Sequence, residues 1–144
     1  AKAWSVETIW NASLHVMGSR SFRDMAAYWP TSNDIFAPPM NQIPKAVFSR
    51  RGAATQTAER QPSAASWSNP YVASGDLAEE IARLKAGDGK PILAHGGVRF
   101  ARSLVAARLV DQLILAIHPV ALGKGLPLFS ELSAPMPLRL MSSR

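Results

Sequence analysis

The chain has 144 residues, of which 47% are hydrophobic and 18% charged, and its formal net charge is +6. These values predict one folded domain with a substantial core and exclude a disordered chain. The absence of cysteine excludes disulfides and cysteine-ligated metals. No apolar run approaches the roughly 20 residues that span a bilayer, and no signal peptide is visible. We therefore expect a cytoplasmic protein that does not bind membranes.

The positive charge is spread along the chain rather than concentrated in one basic run. It includes Arg20, Arg23, Arg50, Arg51, Arg99 and Arg102. No nucleic-acid module and no motif of interleaved aromatic and basic residues accompanies these arginines, so we expect no nucleic-acid partner. A small polyanion, such as a phosphorylated cofactor, suits a scattered positive charge better.

The first half of the chain alternates helical and extended patterns. Residues 3–11 and 22–29 have helical spacing, and Pro30 ends the second helix. Residues 13–17 and 44–49 are typical of strands. Between these strands, residues 31–43 are expected to form a loop with one short helix. Residues 50–68 are rich in Ser, Ala, Thr and Gln and are expected to form an exposed connection.

The second half continues the alternation. A short strand is predicted over 69–73. A helix follows, with Asp76 or Ser74 as its N-cap and glycines at its end. A strand from Pro91 then leads through Gly96 and Gly97 into a helix over 99–109. Further strands are predicted over 112–118 and 138–141, separated by a glycine-containing turn at 121–129. This order predicts an α/β fold with three layers and a mostly parallel central sheet, and the late strands predict an antiparallel edge.

Three predicted strands end in small, polar or basic residues, at 17–21, 48–51 and 95–99. Ligands of such sheets bind beyond the carboxyl ends of the strands, where glycines admit a phosphate and arginines bind it. Together the three ends favour a polyphosphate ligand such as a dinucleotide. The alternative is that Gly96 and Gly97 form a tight turn and that Arg20, Arg50 and Arg51 are solvated loop residues.

The remaining polar residues form no recognisable catalytic set. His15, His95 and His118 lack the spacing of a metal site, so no metal is expected. His15 is expected in the core or at an edge, and His95 is a possible ligand contact. No nucleophile elbow, Walker loop or carboxylate pair is present. The catalytic residues are therefore unknown, which is consistent with a reaction whose difficult step a cofactor carries out.

Several segments together resemble the dihydrofolate-reductase-like superfamily, in particular the C-terminal reductase domain of riboflavin-biosynthesis proteins. They occur in the family's order, at residues 16–22, 27–30, 44–50, 92–97 and 109–129. The last segment is the most specific, with Leu-Val-Asp, a strand, and then Pro-Val-x-Leu-Gly-x-Gly-x-x-Leu-Phe. The resemblance implies NADPH-dependent reduction of a small heterocyclic or carbonyl-containing substrate, such as a pterin or a ribosylaminopyrimidine.

The resemblance also implies a cofactor site. The family's Gly-Gly turn, which approaches the cofactor pyrophosphate, corresponds to Gly96 and Gly97. The other matching positions are Gly18, Ser19, Arg20, Ser21, Ser49, Arg50, Arg51, Val98, Arg99 and Phe100. Ser19 occupies the family's usual arginine position. Either Arg20 replaces that arginine from a shifted angle, or the contact to the 2′-phosphate is weaker.

Two parts of the family pattern have no counterpart in residues 1–144. They are the first strand, whose following loop contacts substrate and nicotinamide, and the last hairpin. We expect a single dihydrofolate-reductase-like domain that lacks both in this sequence. An alternative to an enzyme is therefore a non-catalytic nucleotide-binding protein that keeps the fold. We also expect a homodimer, because relatives often dimerise and the apolar residues 113–117 and Leu128-Phe129 suit a shared edge. The alternative is that these residues belong to the core.

Overall fold

A computed structural model describes residues 2–49, 65–87 and 89–143 of the chain. Helices and strands alternate over most of this length, as the sequence predicts. In chain order they are α1 (Lys2–Trp10), β1 (Leu14–Gly18), α2 (Ser19–Tyr28), a 3-10 turn (Trp29–Thr31), α3 (Ala37–Gln42), β2 (Lys45–Phe48), α4 (Ala65–Ser68), β3 (Tyr71–Ala73), α5 (Leu77–Lys85), β4 (Ile92–Ala94) and α6 (Val98–Ala106).

The strands form one sheet in the order β3-β2-β1-β4, and every pair of neighbours is parallel. The chain moves outward from β1 to β3 and then crosses back to β4, on the other side of β1. Because crossovers between parallel strands are right-handed, this reversal places α5 on the face opposite to α2, α3 and α4. Met17 and Val16 point to opposite faces of β1 and are 0% and 2% exposed. Both faces are therefore covered, and the predicted α/β fold is confirmed.

The main core lies on the face of the sheet that carries Met17. It contains Met17, Phe22, Met40, Val47 and Trp67, all buried. The Phe22 and Trp67 rings pack with their centroids 5.6 Å apart. The Trp67 indole also donates a hydrogen bond of 2.8 Å to the Asn41 side-chain oxygen. The core is therefore apolar, and its one large polar ring has a partner.

Several helix boundaries follow from local chemistry. Asp76 is the N-cap of α5, as predicted, and its carboxylate accepts from the backbone N–H groups of Ala78 and Glu79. Pro30 lies inside the 3-10 turn that follows α2, where its missing N–H removes no helical hydrogen bond. Helix α2 begins at Ser19, three residues before the prediction. Polar residues fill that first turn, so the apolar spacing does not reveal it.

The C-terminal part of the chain differs from the prediction. Residues 109–143 contain no strand in the structure, so the strands predicted over 112–118 and 138–141 are wrong for the described chain. The described sheet consequently has no antiparallel edge. A β-rich sequence forms a strand only beside a neighbour that takes its hydrogen bonds. Ile117 and Leu122 are instead 85% and 77% exposed. The homodimer contact expected in this segment stays a prediction.

Two ion pairs connect the C-terminal segment to the helices. The Lys85 ammonium lies 2.7 Å from the Asp111 carboxylate, and the Arg102 guanidinium lies 3.0 Å from that of Glu131. Both pairs are partly exposed, so each contributes less than about 1 kcal/mol to stability. They position the two ends of the stretch 112–130 without burying its apolar side chains.

None of the described helices combines the length and the apolar character that crossing a membrane requires.

Truncation of the core should cost far more than truncation at the exposed end of the chain. We expect Met17→Ala to lower the free energy of unfolding by about 2–5 kcal/mol, because a fully buried side chain leaves a cavity. The matched control is Met141→Ala, since Met141 is 66% exposed and should change stability by less than about 0.5 kcal/mol. Urea denaturation of both variants measures the difference. Equal losses would contradict the assigned core.

Candidate functional site

The neighbouring strands β1 and β4 define a crevice at the carboxyl edge of the sheet. From β1 the chain continues toward β2, whereas it reaches β4 by crossing back over the sheet. Ligands of open α/β sheets bind where the strand order reverses in this way. Two segments border this point, residues 18–21 after β1 and residues 96–100 after β4. We call the space between these two segments the crevice, and the two segments are its sides.

The two sides of the crevice approach each other closely. Gly96 and Gly97 have φ angles of +59° and +70°, a region that other residues adopt only with strain. A β-carbon on Gly97 would lie 3.0 Å from the Ser21 hydroxyl oxygen, and one on Gly96 would lie 3.2 Å from it. The backbone conformation therefore favours glycine at both positions, and a side chain at either one would also require Ser21 to shift. The predicted Gly-Gly turn and the predicted Ser21 do lie together.

Two helix N-termini open into the crevice without a cap. Helix α2 starts after Gly18 and α6 after Gly97, and in neither does a side chain cap the first N–H groups. The first turns of both helices also lack acidic residues. Helix α5 shows the contrast, because the Asp76 carboxylate caps it and Glu79 and Glu80 lie in its first turn. Uncapped N–H groups and the positive end of the helix dipole attract an anion.

The remaining predicted residues surround these helix starts. Arg20 and Arg99 are exposed and lie in the first turns of α2 and α6, so their guanidinium groups add positive charge there. The Phe100 ring packs against Phe48 with centroids 5.1 Å apart. A β-carbon on Gly18 would lie 3.7 Å from that of Phe100. Val98 and Ser19 are the first residues of their helices.

The predicted site residues after β2 lie one strand further from the Gly-Gly turn than those after β1. Ser49 follows β2, whose last residue Phe48 is in register with Gly18. Ser49 is 7% exposed, and its N–H donates to the Ala73 carbonyl oxygen at 3.1 Å. Its backbone therefore extends the sheet. Arg50 and Arg51 lie outside the described residues, so their predicted contacts stay predictions.

Behind the crevice lies a group of basic side chains, two buried and one half-buried, that the sequence analysis did not assemble. It contains His15 on β1, Lys45 on β2 and His95 directly after β4, and we call it the basic cluster. His15 and Lys45 are in register on neighbouring strands and are 0% and 2% exposed. The His15 and His95 rings meet edge to face, with centroids 4.4 Å apart. His15 is thus a core residue, one of the two positions expected for it.

The polar atoms of the basic cluster are unequally satisfied. The Lys45 ammonium donates to the Ile43 carbonyl oxygen and, at 3.3 Å, to the Ser66 hydroxyl, and it lies 4.5 Å from the centre of the Trp67 ring. Within the described chain, neither ring nitrogen of His15 has a hydrogen-bond partner, and Nε2 of His95 has none. Buried polar groups without a partner are unfavourable, so these imidazoles lower stability where they lie.

Burial disfavours the charged form of each of these groups. It lowers the pKa of His15 to about 3, with the nearby His95 and Lys45 adding to the effect, while the Ile9 backbone opposes it. Burial likewise lowers the pKa of His95 to about 4, and Lys45 contributes. Burial alone lowers the pKa of Lys45 to about 7. At neutral pH both imidazoles are therefore uncharged.

One sequence signal could have revealed the basic cluster. Alternate residues of a strand share a face, so His15 lies on the same side as Met17, and Lys45 on the same side as Val47. His15 and Lys45 are thus polar residues at neighbouring positions of two strands that are otherwise apolar and buried. That His95 joins them follows only from the pairing of β4 with β1, which places Val16 opposite Ala94. No three metal-ligating side chains converge in the part of the chain that is described.

The fold and the crevice define an α/β protein with a doubly wound parallel sheet and two uncapped helix N-termini at its carboxyl edge. The family model of the RibD C-terminal domain matches residues 6–144. The chain therefore belongs to this family, the C-terminal reductase domain of riboflavin-biosynthesis proteins within the dihydrofolate-reductase-like superfamily. The predicted family is confirmed.

Two relatives from Bacillus subtilis (strain 168) are similar over part of the chain. The uncharacterized protein YyaP is 36% identical over 69 residues, which cover 48% of this chain and 37% of YyaP. The uncharacterized protein YwjB is 36% identical over 63 residues, covering 44% of this chain and 36% of YwjB. Each match thus spans little more than a third of the relative's length. Neither relative's name states an activity.

The Gly-Gly turn should tolerate no side chain. We expect Gly97→Ala to lower the free energy of unfolding by about 1–3 kcal/mol, because a positive φ is strained for alanine and the new β-carbon meets Ser21. The matched control is Gly89→Ala, since nothing lies within 4 Å of its β-carbon position. Chemical denaturation distinguishes the two variants. A Gly97→Ala protein as stable as the control would contradict the described approach to Ser21.

Stability should rise with pH above neutrality because of Lys45. The pKa of Lys45 is about 7 in the folded chain and 10.5 at its ordinary value, so the unfolded chain binds more protons between these values. As far as it depends on Lys45, the free energy of unfolding is greatest above pH 10.5 and decreases as the pH falls toward 7. The expected slope is about 1.4 kcal/mol per pH unit.

The variant Lys45→Met should remove most of this slope between pH 7.5 and 9.5, as measured by urea denaturation at each pH. The exposed Lys124 provides the matched control, and Lys124→Met should keep the slope of the parent protein. An unchanged slope in Lys45→Met would mean that this amine is not held in an apolar environment.

Proposed function

We propose that this chain is an NADPH-dependent reductase that transfers hydride to a small heterocyclic or carbonyl-containing substrate, of the pterin or ribosylaminopyrimidine class. The observation that carries the proposal is the convergence of two uncapped helix N-termini, those of α2 and α6, on the Gly96-Gly97 turn. Membership of the reductase-domain family supports the same reading.

The crevice fits the diphosphate of a dinucleotide. Two helix starts offer N–H groups to two phosphates, and the glycines let the backbone approach without a side chain between. Arg20 and Arg99 add charge in the first turns of the two helices, where charge-assisted hydrogen bonds to phosphate are strong. Ser49 and, by resemblance, Arg50 would lie toward the adenosine end. NADPH supplies the hydride when bound.

The crevice residues would position the cofactor and would not take part in the chemical step. Holding the cofactor phosphates at the helix starts fixes one end of the dinucleotide, so that its other end is presented to the substrate in one orientation. Orientation of this kind accounts for much of the rate of such transfers. The crevice residues carry no carboxyl group, so they do not supply a proton donor, and the catalytic residues stay unassigned.

A second candidate function is nucleotide binding without turnover. It is favoured by the crevice residues, which can hold phosphate groups but include no carboxyl group. A fold by itself does not define an activity. Titration with NADPH, NADH and NADP, followed by assays of NADPH oxidation with pterin, pyrimidine and carbonyl substrates, separates the candidates. Binding without oxidation would favour the second, and no binding of any dinucleotide would reject both.

Loss of arginine charge should affect NADPH more than NADH. We expect the double variant Arg20→Ala, Arg50→Ala to lose about 1.5–3 kcal/mol of NADPH binding per phosphate contact removed, with a smaller loss for NADH, which lacks the 2′-phosphate. Isothermal titration calorimetry with each cofactor measures both affinities. Arg139→Ala, in the C-terminal segment, is the control and should bind both cofactors as the parent does. Equal losses for the two cofactors would show that these arginines do not recognise the 2′-phosphate.

A further inference from the structure

An exposed apolar surface lies in the C-terminal segment of the chain. Of the fifteen large apolar side chains that are exposed in the described residues, ten belong to residues 112–143. Their exposure ranges from 38% at Phe129 to 85% at Ile117, and six of them follow one another closely between Ile114 and Leu126. An exposed apolar patch of more than a few hundred Å² is uncommon on a monomer and indicates a binding partner.

Residues 112–118, which we call the apolar stretch, have an unpaired backbone and defined ends. Within the described chain, no backbone N–H of this stretch donates to another backbone group. At one end, Asp111 is held by its ion pair with Lys85. At the other end the chain turns at Pro119, where the Val120 N–H donates to the His118 carbonyl oxygen at 2.8 Å. Such a turn is common at the end of a strand, and unpaired backbone groups are a template for pairing with another chain.

The residue types of the apolar stretch suit pairing with an identical segment. Residues 112–123 include no Asp, Glu, Lys or Arg, so no like charges would oppose each other if two copies met here. Alternate residues of a strand share a face. Leu113, Leu115 and Ile117 would therefore form one wholly apolar face. The opposite face would carry Gln112, Ile114, Ala116 and His118.

The exposed area is sufficient for a dimer. The six large apolar residues between Ile114 and Leu126 are 48–85% exposed. Together they expose an area on the order of the ~800 Å² that each partner buries in a standard interface. A second copy supplies the same uncharged apolar surface, so one contact covers the exposed side chains of both partners. Such an interface closes on itself, because a twofold contact uses the same patch of both subunits.

We propose that two copies of this chain associate through the apolar stretch, which pairs antiparallel with the apolar stretch of the second copy about a twofold axis at Leu115. Asp111 and Pro119 bracket the stretch, so a register centred on its middle residue uses all seven residues. Leu115 then lies opposite Leu115 of the second copy, and Leu113 of each copy lies opposite Ile117 of the other. The inference concerns the C-terminal segment and not the crevice, so it is independent of the proposed reductase function.

Sedimentation velocity of the full chain, without cofactor and over a range of protein concentrations, tests the association. We expect a reversible equilibrium between monomer and dimer. Leu115→Asp should raise the dissociation constant of the dimer about 100-fold or more, because two carboxylates would meet unpaired in an apolar contact. The matched control is Ile35→Asp, since Ile35 is 52% exposed and Leu115 is 51% exposed. This control should dimerise as the parent does.

Both substituted side chains are exposed, so both variants should fold, and unchanged circular dichroism checks this. A parent protein that is monomeric at every concentration would overturn the proposal and leave this surface to a different partner. An equal weakening of the dimer by Leu115→Asp and Ile35→Asp would overturn it as well.

The register has a test of its own, because the chain has no cysteine and an introduced thiol is unique. In Leu115→Cys the proposed pairing places the two β-carbons about 4.5–5.5 Å apart, close to the separation in a disulfide. In Ile117→Cys the two thiols lie four residues apart along the paired strands, about 13 Å.

We expect oxidation with diamide to convert the Leu115→Cys protein into a covalent dimer and to leave the Ile117→Cys protein reducible to monomers without a thiol reagent. Ile117 is the stricter control because it is more exposed, at 85% against 51%, so random collisions would favour it. Equal cross-linking of the two variants, or none in Leu115→Cys, would overturn the proposed pairing.

Discussion

The close approach of the Gly96-Gly97 turn to the Ser21 hydroxyl is the contact on which the candidate site depends. It brings the starts of α2 and α6 to one place, although the two helices follow strands that are far apart in the sequence. The β-carbon positions at 3.0 and 3.2 Å from Ser21 leave no room for a side chain. What the crevice offers a ligand is therefore backbone N–H groups, supplemented by arginines near both helix starts. This arrangement suits a diphosphate better than an apolar molecule.

The parallel sheet creates this site, and it also buries polar side chains behind the site. Parallel strands are buried on both faces, so each inward position should be apolar. His15 and Lys45 break that rule on neighbouring strands, and His95 joins them across β4. Burial lowers the pKa of both imidazoles, so they are uncharged at neutral pH.

The C-terminal segment shows that a local sequence pattern is not sufficient to predict a strand. Residues 112–118 are β-rich, and Ile114, Leu115 and Ile117 would suit a strand, yet these side chains are 48%, 51% and 85% exposed. A strand is defined by its neighbour, and this segment pairs with neither edge strand, β3 or β4, of the described sheet. The ion pairs at Asp111 and Glu131 place its ends but cannot replace a ladder of backbone hydrogen bonds.

The sequence by itself determined the alternation of helices and strands as far as α6, except for α4, which lies in the stretch 50–68 that was predicted to be an exposed connection. It also determined the cap at Asp76 and the family. These features depend on local spacing and on motifs that keep their order. The sequence also predicted that residues 18–21 and the Gly96-Gly97 turn belong to one cofactor site. Only the tertiary structure decided that the starts of α2 and α6 are uncapped and adjacent, that His15, Lys45 and His95 form one cluster, and that residues 112–118 do not form a strand. The physical reason is the same in each case. Strand order, the reversal of direction at β4 and the burial of a polar side chain are set by contacts between residues distant in the chain, and local periodicity carries no information about them.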